Sequence, residues 1–324
     1  MKIAFFDTKN YDKPFFEQFK KNNMKIKYYE TKLNEDTCSL AKGYDVVCVF
    51  VNDDINKNVI DQLVEYNVKM IALRCAGYNN VDIKYCKDKI LIARVPAYSP
   101  YAVAEHAIAM LLTQVRNIHK AYVRTKSFNF SLSGLEGMDL YGKTIGVIGT
   151  GKIGKIFIDI CKGFGMKILA YDKFPSKLEK TEYVDLDRLF CESDIISLHC
   201  PLTEETHHLI DKNSISKMKE GVILINTSRG ALIESKALLE GIKTKKIGGA
   251  CLDVYEEESD VFFEDNSNFI MDDDTLALLT TMPNVIVTSH QAFLTKEALS
   301  NIAMTTIDNI VAYFETGECE NKVE

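Results

Sequence analysis

The chain has 324 residues, 46% hydrophobic and 26% charged, enough for two ordinary domains and unlike a disordered or fibrous polypeptide. Its net charge of −7 lacks the basic excess of a nucleic-acid surface. Nine cysteines, an odd count with no CxxC pair, point to free thiols in a reducing, cytoplasmic setting.

The N-terminus, MKIAFFDTKN, turns polar too early for a signal peptide. Apolar runs predict strands over 2–6, 46–51, 70–74 and 91–94, then over 144–148, 167–171, 195–199, 222–226, 249–253 and 285–288. Helical patterns lie between most of them, among them 13–22, 153–164, 186–192, 235–243 and 294–315. Uniformly apolar strands alternating with helices indicate α/β domains with parallel sheets covered on both faces. The alternation breaks once, at a long helical pattern over 102–124 followed by a polar loop over 128–141. A domain boundary is therefore expected near residue 100. The longest stretch without Asp, Glu, Lys or Arg, 275–295, is divided by Pro283-Asn284 and is no membrane span. Acidic clusters over 256–265 and 272–274 read as a solvated loop.

The segment VIGTGKIG, Val147 to Gly154, places Gly149, Gly151 and Gly154 between a strand and a helix. In that setting the first glycine permits a tight turn, the second admits a pyrophosphate, and the third lets helix and strand approach. The helix N-terminus then offers N–H groups and partial positive charge to the phosphates. The next strand ends in LAYD, so Asp172 stands about 20 residues on, where a carboxylate accepts from ribose hydroxyls and repels a 2′-phosphate. Together these features predict an NAD site in the second domain. The first strand is followed by Asp7-Thr-Lys and carries no such glycines.

Nicotinamide chemistry on an alcohol or ketone needs a proton carrier and a substrate anchor. Of six histidines, His106 and His119 fall within the long helical pattern and read as structural. His207 and His208 lie in a polar segment and read as solvated; His199 ends a strand in LHCP, where it could line an adenosine site. His290 follows the last strand in VIVTSHQAF, at the sheet edge where open α/β folds bind ligands. Arg229, in ILINTSRG, and Asp253, in GACLDVYEEE, follow neighbouring strands. A guanidinium suits a carboxylate, and a carboxylate beside an imidazole favours its charged form.

These segments, with DIISLHCPLT, INTSRGALI, LDVYEEE and SHQAFLT downstream and FVNDD, ALRCAGYNNVD and RVPAYSPYAVAEHAIAMLLT upstream, resemble the D-isomer-specific 2-hydroxyacid dehydrogenases. The resemblance covers essentially the whole chain and is closest to the bacterial fermentative D-lactate branch. It implies two Rossmann-like domains with the active site in the interdomain cleft. A flavodoxin-like substrate domain would comprise 1–100 plus 296–324, and an NAD-binding domain 101–295. By the same resemblance Arg229 would hold the substrate carboxylate, His290 would be the acid/base, and Glu258 would pair with it. The choice of Glu258 over Glu256 and Glu257 rests on resemblance alone. Ala76 and Gly77 would offer backbone N–H groups to the substrate, and Tyr98 and Phe293 would line its side-chain pocket. Lys152, Ile153, Cys200, Pro201, Thr206, Thr227, Ser228 and Asp253 would join the glycines and Asp172 around NAD.

Ser289 and Gln291 depart from the Pro and the Gly or Ile that flank this histidine in many relatives, but the SHQAF form is typical of the fermentative branch. The expected reaction is reduction of pyruvate to D-lactate by NADH. Alternatives are a bulkier 2-oxo acid, such as 2-oxoisocaproate or phenylpyruvate, or an NAD-sensing binding protein of corepressor type. A homo-oligomer, dimer or tetramer, is expected, with no metal, nucleic-acid or membrane partner.

Overall fold

A computed structural model describes residues 1–258 and 261–323. The chain forms two compact units, Met1–Ser99 with Leu294–Glu324 and Pro100–Phe293. The smaller unit is built on β1 (Lys2–Phe5), β2 (Lys25–Tyr28), β3 (Val46–Val49), β4 (Met70–Leu73) and β5 (Leu91–Ala93). Its sheet has the order β2-β1-β3-β4-β5, and every pairing is parallel. The C-terminal helix Lys296–Thr316 packs on the helix Asp12–Phe19 and on β4. Its Asn301 and Asn309 side chains donate to the carbonyls of Tyr98 and Arg94 at 2.6 and 2.9 Å, which fastens both chain ends to one core.

The larger unit contains β6 (Thr144–Ile148), β7 (Lys167–Tyr171), β8 (Glu182–Tyr183), β9 (Ile195–Leu198), β10 (Val222–Asn226), β11 (Ile247–Leu252) and β12 (Val285–Val287). Their order is β12-β11-β10-β9-β6-β7-β8, again parallel throughout. Alternate residues of each strand serve opposite faces. Ile145, Val147, Ile225 and Cys251 pack with Phe157 and Leu111 on one side, and Ile148, Leu224 and Leu252 with Leu189 and Leu238 on the other. Burying each such side chain stabilises the fold by about 1.5–3 kcal/mol. The chain leaves β6 in both directions along the sheet, toward β7 and toward β9, so the crevice at their C-terminal ends is the topological switch point.

Several expectations need correction. The long helix is two helices, Pro100–Val115 and Ile118–Lys126, because Asn117 adopts a left-handed conformation at φ 50°. The strand β2 goes unpredicted because Lys25 and Lys27 break its apolar run, as lysines often do on an edge strand. The acidic segment is not simply solvated. Asp273 caps the helix Asp274–Thr281, Phe262 is buried, and Glu256 and Glu258 are engaged in hydrogen bonds described below. Ser259 and Asp260 of that segment lie outside the described residues. Among the described residues all nine cysteines are free thiols, and burial pushes those of Cys48, Cys161 and Cys251 up to about 12. Among the described residues no helix is long and apolar enough to cross a membrane.

Candidate active site

At the switch point of the larger unit a cleft of about 700 Å³ opens, lined in part by Gly149, Gly151, Asp172, Cys200, Pro201 and Thr206. The glycines perform distinct tasks. Gly149 has φ 94°, and a Cβ there would strike the backbone of His199 and Cys200. A Cβ on Gly154 would strike the Gly149 carbonyl, so helix and strand could not approach. A Cβ on Gly151 would project into open space where the cleft lies, the room a pyrophosphate needs. Gly151 also caps the helix Lys152–Gly163, which puts Lys152 and Ile153 in its first turn. Lys152, Ile153, Gly154, Thr227 and Ser228 do not themselves line the cleft.

Asp172 directly follows β7 and accepts from the Thr150 N–H at 2.6 Å and the Phe174 N–H at 2.8 Å. Burial works against its charge, but these donors outweigh burial and hold its carboxyl below the usual range. His199 also lines the cleft wall, half-buried, with Nε2 at 2.9 Å from the Ser197 hydroxyl. The site therefore fits a dinucleotide whose adenosine ribose meets an anionic carboxylate.

The adjacent strands β10, β11 and β12 end in the residues that the sequence singles out. The buried Asn226 side chain folds the turn after β10, accepting from the Ser228 N–H at 3.0 Å and donating to the Arg229 carbonyl at 2.9 Å. The Ser228 hydroxyl donates to the Cys200 carbonyl at 2.7 Å, joining this turn to the cleft. The Thr227 hydroxyl is buried without a hydrogen-bond partner among the described residues. Next to Arg229, Gly230 lies so close to the Tyr255 carbonyl that a Cβ would overlap it. The turn bearing Arg229 thus rests directly on the segment that follows β11.

That segment carries Glu258. One of its carboxylate oxygens accepts from the Tyr255 N–H at 2.9 Å, and the other stands 2.9 Å from Nδ1 of His290. Both side chains are about one-fifth exposed, so the pair is sheltered yet open on one side. His290 has φ 53°, and its ring stacks at a tilt 5.7 Å from Phe263. An imidazole whose Nδ1 faces a carboxylate presents Nε2 as its free acid or base.

Asp253 directly follows β11. It is fully buried, and its carboxylate accepts from the Thr288 hydroxyl and from the Gln291 and Ala292 N–H groups. His106 adds an Nε2 contact to the same carboxylate at 3.4 Å and to Thr288 at 3.2 Å. Burial opposes ionisation of Asp253, but His106, Thr288 and Ala292 outweigh it and keep the carboxyl low. The carboxylate orders the loop around His290 instead of facing outward. His106 is structural, as its helical position suggests, yet what it supports is this loop. No local pattern in the sequence announces that contact.

In the smaller unit Ala76 and Gly77 follow β4, where the Arg94 guanidinium donates to the Ala76 carbonyl at 2.8 Å. Tyr98 is half-buried there, whereas Phe293 is buried in the larger unit. His208 corrects another expectation. Rather than standing in solvent, it bonds Glu256 through Nε2.

Comparison with known proteins places this geometry. The family model for the D-isomer specific 2-hydroxyacid dehydrogenase, NAD binding domain, matches residues 108–292. The D-lactate dehydrogenase of Escherichia coli strain K12 is 51% identical over 329 aligned residues, covering 100% of each chain. The solved apo-structure of D-lactate dehydrogenase from Escherichia coli matches with a TM-score of 0.92 at 48% identity, covering 100% of both chains. A pyruvate reductase of Chlamydomonas reinhardtii matches with a TM-score of 0.91 at 44% identity, over 97% of this chain and 96% of that one.

Proposed function

The chain belongs to the D-isomer specific 2-hydroxyacid dehydrogenase family, and on that premise we propose that it reduces pyruvate to D-lactate with NADH. The carrying observation is the His290–Glu258 pair at 2.9 Å, beside the Arg229 turn and on the same sheet edge as the dinucleotide cleft. Arg229 holds the substrate carboxylate in a planar, bidentate grip that a point charge does not reproduce. Phe293 limits the size of the substrate side chain.

The glycine turn and Asp172 would hold NADH, which would supply a hydride equivalent for the carbonyl carbon. His290 gives the proton from Nε2 to the carbonyl oxygen as negative charge develops there. Glu258 orients the imidazole through its contact with Nδ1 and leaves Nε2 toward the substrate. In the reverse direction neutral His290 takes the proton from the hydroxyl of D-lactate. The cysteine usage supports a reducing cytoplasm as the setting, and family likeness supports a homo-oligomer.

Loss of NADH absorbance across a panel of 2-oxo acids, with chiral analysis of the product, tests the proposal. The expected result is fastest turnover on pyruvate and D-lactate as product. Faster turnover on 2-oxoisocaproate or phenylpyruvate, or no turnover on any of them, overturns it.

A further inference from the structure

Outside the catalytic pair, three potential metal ligands gather at one point of the larger unit: His207, His208 and Glu256. One nitrogen from each imidazole and one carboxylate oxygen lie within 4.8 Å of one another. We propose that these side chains form a binding site for a divalent transition-metal ion of the zinc class.

The backbone arranges the convergence. Neighbours in an extended chain point to opposite sides, but His208 has φ 51°, and this left-handed kink brings its ring to 3.9 Å from that of His207. A non-glycine residue is strained in that region and persists there only where its surroundings hold it. Here the His208 N–H donates to the Ala231 carbonyl at 2.9 Å.

Glu256 is prepared in the manner of a ligating carboxylate. One of its oxygens accepts from the Ser235 N–H at 3.1 Å and the Ser235 hydroxyl at 2.9 Å. The other oxygen faces His208, and the Ser235 bonds fix its direction as outer-shell bonds do in metal sites. Burial works against the charge of Glu256, but His208 and Ser235 outweigh burial and keep the carboxyl ionised. Two imidazoles and one carboxylate suit Zn²⁺, Co²⁺ or Ni²⁺, whereas Mg²⁺ and Ca²⁺ prefer oxygen ligands alone. Small side-chain movements would bring the three atoms to bonding distance, with remaining positions open to water.

The site has a place in the working molecule. His207 and His208 directly follow Thr203, Glu205 and Thr206, which line the dinucleotide cleft. Glu256 precedes Glu258 by two residues in the sequence. A bound ion would therefore tie the cleft loop to the segment carrying the partner of His290. That consequence rests on the proposed function, but the binding itself does not.

The test uses untagged protein freed of metal by a chelator and titrated with Co²⁺, with binding read by equilibrium dialysis and by visible d–d absorption. The proposal expects saturable, stoichiometric binding that Zn²⁺ displaces. It also expects His207→Ala to weaken affinity by at least about 10-fold, with unchanged thermal unfolding in chelator. His207 is exposed, so its loss leaves the fold intact. Absence of a saturable band, or a band and affinity unchanged in His207→Ala, overturns the site. Failure of pyruvate turnover leaves this readout unaffected, so the two proposals fail separately.

Discussion

The His290 N–H donates to the Asp253 carbonyl at 2.7 Å, while the Asp253 carboxylate accepts from the next two N–H groups, of Gln291 and Ala292, at 2.9 Å each. One buried residue thus grips the loop that carries His290 from both its backbone and its side chain, and holds His290 in a left-handed conformation. Replacing Asp253 by Asn sets an amide NH₂ against at least one of these donors. Asp253→Asn is expected to lower kcat by about 10- to 100-fold and to destabilise the protein by about 1–3 kcal/mol. Steady-state kinetics and thermal unfolding check both effects, with NADH affinity as the control that should change little.

The Glu258 carboxylate bridges the Tyr255 N–H and the His290 imidazole. Glu258→Gln keeps the size of the side chain but removes the carboxylate that faces Nδ1 of His290. Pyruvate reduction should fall by about 10- to 100-fold in kcat with a smaller change in KM, since Glu258 touches the acid and not the substrate. A large rise in KM at unchanged kcat would contradict that division of roles.

Gly230 has no room for a Cβ against the Tyr255 carbonyl, so Gly230→Ala must displace the turn that carries Arg229. Its expected signature is a rise in KM for pyruvate of about 10-fold or more, shared with Arg229→Lys. Circular dichroism would show the secondary structure unchanged in both variants.

Asp172 lines the cleft with its carboxyl held below the usual carboxylate range. Asp172→Ser removes the charge that repels a 2′-phosphate. The ratio of kcat/KM for NADH over NADPH should fall by about 10-fold or more, measured with pyruvate at saturation. Some loss of NADH affinity should accompany it, because the Thr150 and Phe174 N–H groups lose their acceptor.

His199 makes a stability prediction. Burial depresses its imidazole to about 3, against 6.5 in an exposed chain. It is neutral in the fold and takes up a proton on unfolding, so its contribution is present above the unfolded value and lost as pH falls below it. The folding constant should drop up to about 10-fold per pH unit through that window from this group alone. Chemical denaturation of the parent and of His199→Gln, from about pH 7 to about pH 5, isolates the effect. The stability gap between them should narrow as pH falls; a constant gap would assign the slope to other groups.

What the sequence discloses follows from how local the physics is. The glycine turn is legible because each glycine answers a steric need within a few residues, and the apolar strands of the larger sheet announce themselves by being buried on both faces. Asn117 breaks a helix whose apolar pattern runs on past it, so periodicity alone misses the break. The pairing of His290 with Glu258 could be placed at a strand end, but the choice among three consecutive glutamates needed family likeness. His106 with Thr288, and His208 with Glu256, join positions 182 and 48 residues apart, and no local pattern marks such contacts.

The account depends most on His290 as the source of the proton. Asn tolerates the left-handed conformation at this position, so His290→Asn removes the imidazole with little backbone disturbance. NADH-dependent reduction of pyruvate by this variant should fall by about 100- to 10,000-fold while NADH binding, followed by fluorescence, stays near that of the parent. Near-parental turnover with NADH still bound would contradict the assignment.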